Sequence, residues 1–100
     1  MIVVVFRSRL REGVEKAYKD EAQAVSAIAR EMPGYISHKL FLADDGERVT
    51  VVEYESEEAL QAWARDPRHV AAKKTGRREF YSEYKVQICS LIREGNFAQE

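Results

Sequence analysis

The residues best suited to chemistry lie together in the run Ala59 to Arg78. It contains the only tryptophan, Trp63, and one of the two histidines, His69. Between them, Asp66-Pro67 interrupts a helical pattern, because proline is tolerated only in the first turn of a helix. An imidazole titrates near neutral pH and can act as a general base, whereas an indole fills space efficiently. The run therefore predicts a small-molecule cavity that Trp63 walls and in which His69 is catalytic. The structural alternative is a surface histidine at a helix start beside a core tryptophan.

Four more side chains are candidates for substrate binding. His38 lies on the apolar side of a strand pattern, where it faces the core, an interface or the same cavity. Tyr54 and Tyr84 carry hydroxyls that can hydrogen-bond a phenolic or quinone oxygen. Arg77 follows a glycine late in the second helical region and could grip an acidic substrate. For each of them the structural alternative is sheet packing or an exposed basic face.

The elements that must position these residues follow from periodicity. β-branched and aromatic residues in short runs favour strands, apolar residues at three- and four-residue spacing favour amphipathic helices, and Pro-Gly and Asp-Gly steps mark their ends. Strands are predicted over residues 2–9, 35–42, 47–55 and 80–92, and helices over residues 14–32 and from Ser56 to Gly76 with a break at Asp66-Pro67. This β-α-β-β-α-β order is the ferredoxin-like split arrangement of the α+β class, with an antiparallel sheet and helices on one face.

Within that sheet we expect the first and third strands to be adjacent and parallel. By strand parity Arg7 and Arg9 then share a face with Glu53 and Glu55, so that Arg7–Glu53 and Arg9–Glu55 form cross-strand ion pairs. The functional alternative makes Arg7 a second catalytic residue, which stabilises a substrate anion while Glu53 tunes its charge.

The sheet is apolar on both sides. In the first strand Ile2 and Val4 face one way, and Val3 and Val5 face the other. Two helices can cover only one of these faces, and a second copy of the chain is the simplest cover for the other. A homodimer with face-to-face sheets is therefore predicted.

Size and composition narrow the function classes. The 100 residues form one domain, predicted over residues 1–93 with a polar tail over 94–100. The net charge of −1 disfavours nucleic-acid binding, and no apolar run is long enough to span a membrane. The start, MIVVVFRSRL, does not read as a signal peptide, so a cytoplasmic location is expected. A single cysteine, Cys89, permits no internal disulfide, and no metal-binding spacing is present.

Several of these features together resemble the antibiotic biosynthesis monooxygenase family of dimeric α+β barrels, over about Ile2 to Arg93. The resemblance rests on the element order and on Met32-Pro33-Gly34-Tyr35, Trp63, Pro67-x-His69, Gly76-Arg77, Phe80 and Tyr84. It implies a cofactor-independent monooxygenase that oxidises a small phenolic, quinol or anthrone-like aromatic with dioxygen. The phenol loses a proton, its anion gives an electron to dioxygen, and the protein binds, deprotonates and excludes water.

Other functions on the same fold remain open, because fold alone does not set function. One is a non-catalytic small-ligand-binding or stress-associated barrel. Another is an isomerase that uses a histidine for proton transfer. Haem is not expected: in the haem-degrading branch the ligand histidine corresponds to Lys73, a poor iron ligand, and the first-strand asparagine corresponds to Phe6.

Overall fold

The computed structural model describes residues 1–99, and Glu100, the last residue of the predicted tail, lies outside them. The predicted element order is confirmed. The strands are β1 (Ile2–Leu10), β2 (Tyr35–Leu42), β3 (Arg48–Tyr54) and β4 (Tyr81–Ser90), and the helices are α1 (Glu15–Ala29), α2 (Glu57–Arg65) and α3 (Pro67–Thr75), followed by a π-helical turn (Gly76–Phe80). Residues 91–99 form neither helix nor strand.

The strands form one sheet in the order β2-β3-β1-β4, and every neighbouring pair is antiparallel. The expectation that β1 and β3 are parallel is therefore wrong. The reason is topological: α1 returns the chain so that β2 runs in the direction of β1, and the hairpin after β2 reverses β3, which then inserts between them. In the resulting register Arg7 lies opposite Val49, and Ser8 lies opposite Arg48.

The α2–α3 break forms as the sequence predicts. The Ser56 side chain accepts a hydrogen bond from the backbone N–H of Ala59 at the start of α2, as an N-cap residue should. Asp66 repeats this at the start of α3, where its carboxylate accepts from the N–H of Arg68 and Pro67 occupies the first turn. The break therefore folds α3 back from the end of α2.

Two predicted helix ends are wrong. The first helix ends at Ala29 rather than Met32, and a short turn leads into β2. The sequence predicts that Gly76 stops the last helix, yet Gly76 keeps helical angles (φ −58°, ψ −47°) and the chain continues as the π-helical turn to Phe80. The turn that follows Pro33 contains Gly34 at φ +85°, where a side chain would collide with Ala59 of α2. The absence of a side chain at Gly34 therefore lets α2 pack closely against the turn that leads into β2.

The core lies between the helices and one face of the sheet, which we call the helix-side face. Its buried side chains come from β1, α1, β3 and α2: Val4, Ala29, Tyr54, Leu60 and Trp63. The opposite face, here called the open face, carries the alternate residues of the strands. On it Val5 lies opposite Val51 and Val3 opposite Glu53, and all four are half-buried within a single chain.

Candidate active site

The α2–α3 break stacks His69 on Trp63. The two rings are nearly parallel, with an interplanar angle of 12° and centroids 4.3 Å apart. Nδ1 of His69 lies 3.0 Å from the backbone carbonyl oxygen of Trp63. Because a carbonyl only accepts hydrogen bonds, Nδ1 carries the proton, and Nε2 of the neutral ring is left with a free lone pair.

The surroundings of His69 keep its ring neutral. Burial lowers the pKa of His69, and the charge of Lys73 acts in the same direction. The hydrogen bond to Trp63 and the charge of Asp66 raise the pKa but do not outweigh burial. At neutral pH the imidazole is therefore a proton acceptor at Nε2, which is the form that a general base needs.

A second aromatic series runs from β2 into the same core. His38 shares a hydrogen bond with the Tyr35 hydroxyl, and the Tyr35 ring meets Tyr54 edge-to-face at 6.4 Å. Tyr54 is 4% exposed and belongs to the buried cluster that contains Trp63. Burial raises the pKa of Tyr54 to about 12, so its phenol stays protonated and can donate a hydrogen bond.

His38 does not reach His69. Within residues 1–99 the two rings share neither a hydrogen bond nor a ring contact. Burial lowers the pKa of His38, and the charge of Arg30 adds to that effect. The structure thus brings together Trp63, His69 and Tyr54 and places His38 beyond Tyr35.

Tyr84 and Arg77 meet at the other end of α3. Nε of Arg77 donates to the Tyr84 hydroxyl at 2.6 Å. The Tyr84 ring packs 5.5 Å from both Phe6 and Tyr81. The seven residues from His69 to Gly76 advance about 10 Å along a helix axis, so these two candidates form a cluster separate from the Trp63–His69 stack.

Arg7 lies on the open face and has a partner other than the expected one. Its Nε and Nη2 donate to the carboxylate of Glu47 at 3.1 and 3.0 Å. Glu53 accepts a hydrogen bond from Ser37 Oγ instead. Because β1 and β3 are antiparallel, the predicted pair Arg7–Glu53 does not form, and the sheet separates Arg7 from His69 within one protomer.

Arg9 also differs from the expectation. It pairs with Asp45 at 2.8 Å and with Glu83 at 3.2 Å rather than with Glu55. A shallow concavity of about 220 Å³ is lined by charged residues, with Ser8 and Tyr84 beside them: Arg7, Arg9, Glu47, Glu83 and Lys85. With Asp45, the carboxylates of this region balance its cationic side chains. A surface ion-pair network therefore explains the cluster.

Sequence reasoning missed three residues of the second cluster. Arg11 donates to the carbonyl oxygens of Arg77, Arg78 and Tyr81 at 2.7, 2.7 and 3.0 Å, which satisfies the carbonyls left free by the π-helical turn. The partners lie 66 to 70 residues away, so no local pattern marks this contact. The others are Tyr18, whose ring stands over Arg48, and Arg48 itself. For Arg48 a signal exists: it shares strand parity with Val52 and Tyr54, which face the helices.

The described residues contain neither a metal-binding cluster nor a membrane-spanning helix. In residues 1–99 no three His, Cys, Asp or Glu side chains converge to hold a metal ion. Over the same range, no helix combines the length and the apolar character needed to cross a membrane.

Comparison with known proteins identifies the family of the chain. The sequence model of the family described as antibiotic biosynthesis monooxygenase matches residues 1–75. The chain therefore belongs to the antibiotic biosynthesis monooxygenase family. It is 28% identical over 96 residues to the uncharacterized protein YqjZ of Bacillus subtilis, a match that covers 96% of this chain and 83% of the relative.

Solved structures share the fold. Rv0793 from Mycobacterium tuberculosis superposes with a TM-score of 0.83 at 21% identity, covering 95% of this chain and 98% of that one. SnoaB from Streptomyces nogalater, a cofactor-independent oxygenase, superposes with a TM-score of 0.79 at 15% identity, covering 93% and 94%. These likenesses establish the ferredoxin-like arrangement on which the Trp63–His69 stack is built.

Proposed function

We propose that the protein is a cofactor-independent monooxygenase of a small phenolic, quinol or anthrone-like aromatic, with His69 as its general base. The observation that carries the proposal is the imidazole of His69, whose Nδ1–H is held by the Trp63 carbonyl and whose Nε2 has no hydrogen-bond partner within residues 1–99. Membership of the family and the fold shared with the oxygenase SnoaB support it.

The chemistry needs no redox group from the protein. Nε2 of His69 takes the proton of the phenolic or enolic hydroxyl, and the resulting anion passes one electron to dioxygen. Recombination of the radical pair forms a carbon–oxygen bond, and the peroxide anion takes the proton back from His69. Loss of water from the hydroperoxide then gives a carbonyl, so that substrate and dioxygen become ketone or quinone and water. Trp63 contributes the apolar wall that keeps water from the anion, and Tyr54 offers a protonated hydroxyl behind it.

Oxygen uptake by metal-stripped protein against a panel of hydroquinones and anthrones tests this proposal, with autoxidation subtracted. A positioned general base contributes roughly 10²–10⁴-fold, so His69→Ala should lower the enzyme-dependent rate by about 100-fold or more. Lys74→Ala is the control, since Lys74 is an exposed residue on the same helix. Its rate should equal that of the wild type.

The other outcomes separate the competing functions. Uptake that is unchanged in His69→Ala would remove His69 as the base. Substrate conversion without oxygen consumption would identify an isomerase. Saturable binding with no turnover of any compound would favour a ligand-binding barrel.

We also propose that the working form is a homodimer in which two open faces pack together. The valines of this face are only half-buried within one chain, although they lie at the centre of the sheet. A second sheet would bury them and complete a dimeric α+β barrel.

A further inference from the structure

A β-bulge at the start of β2 turns two side chains toward the same face of the sheet. Tyr35 and Ser37 lie opposite consecutive residues of β3, so that Ile36 between them is an extra residue. In a regular strand, residues three apart point to opposite faces. Because of the bulge, Tyr35 and His38 both lie on the helix-side face. Re-aiming a side chain in this way is a common use of a bulge.

The two rings meet through a hydrogen bond. The Tyr35 hydroxyl contacts Nδ1 of His38, and the ring centroids are 5.7 Å apart at an interplanar angle of 67°. An imidazole nitrogen is a stronger acceptor than a phenol oxygen, so the hydroxyl donates to Nδ1. Burial and the charge of Arg30 lower the pKa of His38, which leaves the ring neutral and able to accept a proton at neutral pH. Tyr35 therefore has a base on its hydroxyl proton.

None of the other four tyrosines has such a base within residues 1–99. The Tyr81 hydroxyl donates to the Tyr18 hydroxyl, a weak acceptor, and the Tyr18 ring lies against a guanidinium. Nε of Arg77 donates to the Tyr84 hydroxyl. A neighbouring cation opposes the removal of an electron from a ring. Burial raises the pKa of Tyr54 to about 12, so that phenol holds its proton.

The packed core links the Tyr35–His38 pair to Trp63. The Tyr35 ring meets the Tyr54 ring edge-to-face at 6.4 Å, and Tyr35 packs against the buried cluster that contains Tyr54 and Trp63. Trp63 in turn stacks on His69. Indole and phenol rings lose an electron far more easily than aliphatic side chains, and close packing lets the electron move between them. Oxidation of a phenol is easiest where a positioned base takes its proton in the same step.

We propose that Tyr35 and His38 form a redox-active pair that reduces an oxidised Trp63. The Tyr35 ring gives one electron to the Trp63 indolyl radical through Tyr54, and its hydroxyl proton passes to Nδ1 of His38. Trp63 takes up the electron and a proton from water, which restores its indole N–H, and His38 releases its proton to the solvent. The net change moves one hydrogen atom from Tyr35 to Trp63 and leaves a neutral phenoxyl radical on Tyr35.

The role of this pair is protection of the core. A peroxyl radical forms when dioxygen adds to a substrate radical that has escaped recombination. It becomes a hydroperoxide when it takes the indole hydrogen atom of Trp63. The pair moves the resulting radical to Tyr35, which is half-buried, and a thiol or ascorbate in the solvent returns the hydrogen atom there. This role rests on the oxygenation proposed above, whereas the transfer between the rings does not.

Laser flash photolysis tests the transfer. A flash at the red edge of the protein absorption, where indole absorbs and phenol does not, ejects an electron from Trp63, the only tryptophan. A cobalt(III) ammine complex captures that electron irreversibly, and loss of the N–H proton leaves the indolyl radical. In the wild type, the indolyl absorbance should give way to phenoxyl absorbance at a rate that is independent of protein concentration.

Three variants locate the donor and the base. Tyr35→Phe should remove the intramolecular phase. His38→Gln, which accepts a hydrogen bond but is not a base at neutral pH, should slow it by about 100-fold, the effect of a positioned proton acceptor. Tyr18→Phe makes the same substitution at a tyrosine outside the pair and should transfer at the wild-type rate. Circular dichroism melting confirms that each variant is folded.

Three results would overturn the proposal. The first is a wild-type indolyl radical that decays without forming phenoxyl. The second is phenoxyl formation in Tyr35→Phe as fast as in the wild type, which would assign the transfer to another tyrosine. The third is an unchanged rate in folded His38→Gln, which would remove His38 as the base. Because the flash needs neither substrate nor turnover, its result and that of the oxygen-uptake assay fail independently.

Discussion

The two faces of the sheet carry arginines on adjacent strands, and these arginines differ in what the fold places beside them. On the open face Arg7 and Arg9 lie 2.8–3.2 Å from carboxylates of Glu47, Asp45 and Glu83. On the helix-side face the buried Nε of Arg48 has no acceptor among residues 1–99. An arginine that is paired within its own chain is explained by the fold. Arg48 instead packs against an aromatic ring, with its Cζ 5.2 Å from the centre of the Tyr18 ring.

The apolar residues of the two faces also differ, but here it is the open face that is less complete. Helices cover the middle of the helix-side face, where Val4 and Trp63 are buried, whereas Leu40 and Val86 on the edge strands of that face stay exposed. On the open face Val5 and Val51 lie opposite each other and remain half-buried. On one face helices of the same chain bury the central residues, whereas on the other the central valines stay half-buried, which is why a partner surface is proposed there.

Truncation of Trp63 should have the largest effect. Trp63→Ala removes a buried aromatic side chain and the ring on which His69 stacks, and large-to-small core changes of this kind cost about 3–5 kcal/mol. Urea unfolding should show that loss, and Trp63→Phe, which keeps an aromatic ring, should lose clearly less. A loss below about 1 kcal/mol for the alanine variant would mean that the helix-side face does not depend on this residue.

A charge on the open face should change association rather than folding. Val51→Asp places a carboxylate at the centre of the proposed interface, where it would be buried unpaired. Sedimentation should show the dimer dissociation constant raised by about 100-fold or more, while circular dichroism shows a folded monomer. Gln23→Asp adds the same charge to an exposed position of α1 and should stay dimeric. A dimer in both variants would assign the contact to another surface.

Acidification should give the smallest effect. Because burial lowers the pKa of His69 and of His38 below 6.5, the unfolded chain binds more protons as pH falls through the ordinary histidine range. Their contribution to stability is complete above about pH 6.5 and is lost as pH falls toward the folded-state pKa, with a slope of at most about 1.4 kcal/mol per pH unit for each group. Denaturant melts between pH 7.5 and 5 should show a weaker dependence in His69→Asn than in wild type.

Asp66 titrates in a different pH range from the two histidines, so its effect on stability does not overlap with theirs. Hydrogen bonds from the side chain and backbone of Arg68 hold the pKa of Asp66 at about 2, so its contribution is present above about pH 3.8 and is lost only toward pH 2. A wild-type stability that is flat from pH 7.5 to 5 would contradict the assignment of neutral, buried histidines.

The sequence predicted what depends on local patterns. The element order, the Ser56 and Asp66 caps and the proximity of Trp63 and His69 all follow from residues within a few positions of one another. The ion-pair partner of Arg7 was predicted wrongly. Alternation along a strand shows which face a residue occupies, but topology and register decide which residue lies opposite it. The Arg11 contact and the unpaired donor of Arg48 arise between segments distant in sequence. Such contacts follow from the three-dimensional arrangement of the strands and not from any local sequence pattern.

The strand order gives the two clusters different folding histories. The Trp63–His69 stack joins residues six apart, so a short helical segment can form it before the rest of the chain is in place. The row of facing residues Leu42, Arg48, Ser8 and Tyr84 needs all four strands, and Ser8 meets Tyr84 across most of the chain. Contacts of such long range close late and slowly. The hydrogen bond that fixes the His69 tautomer can therefore form early in folding, whereas the contacts across the four strands are among the last native contacts to form.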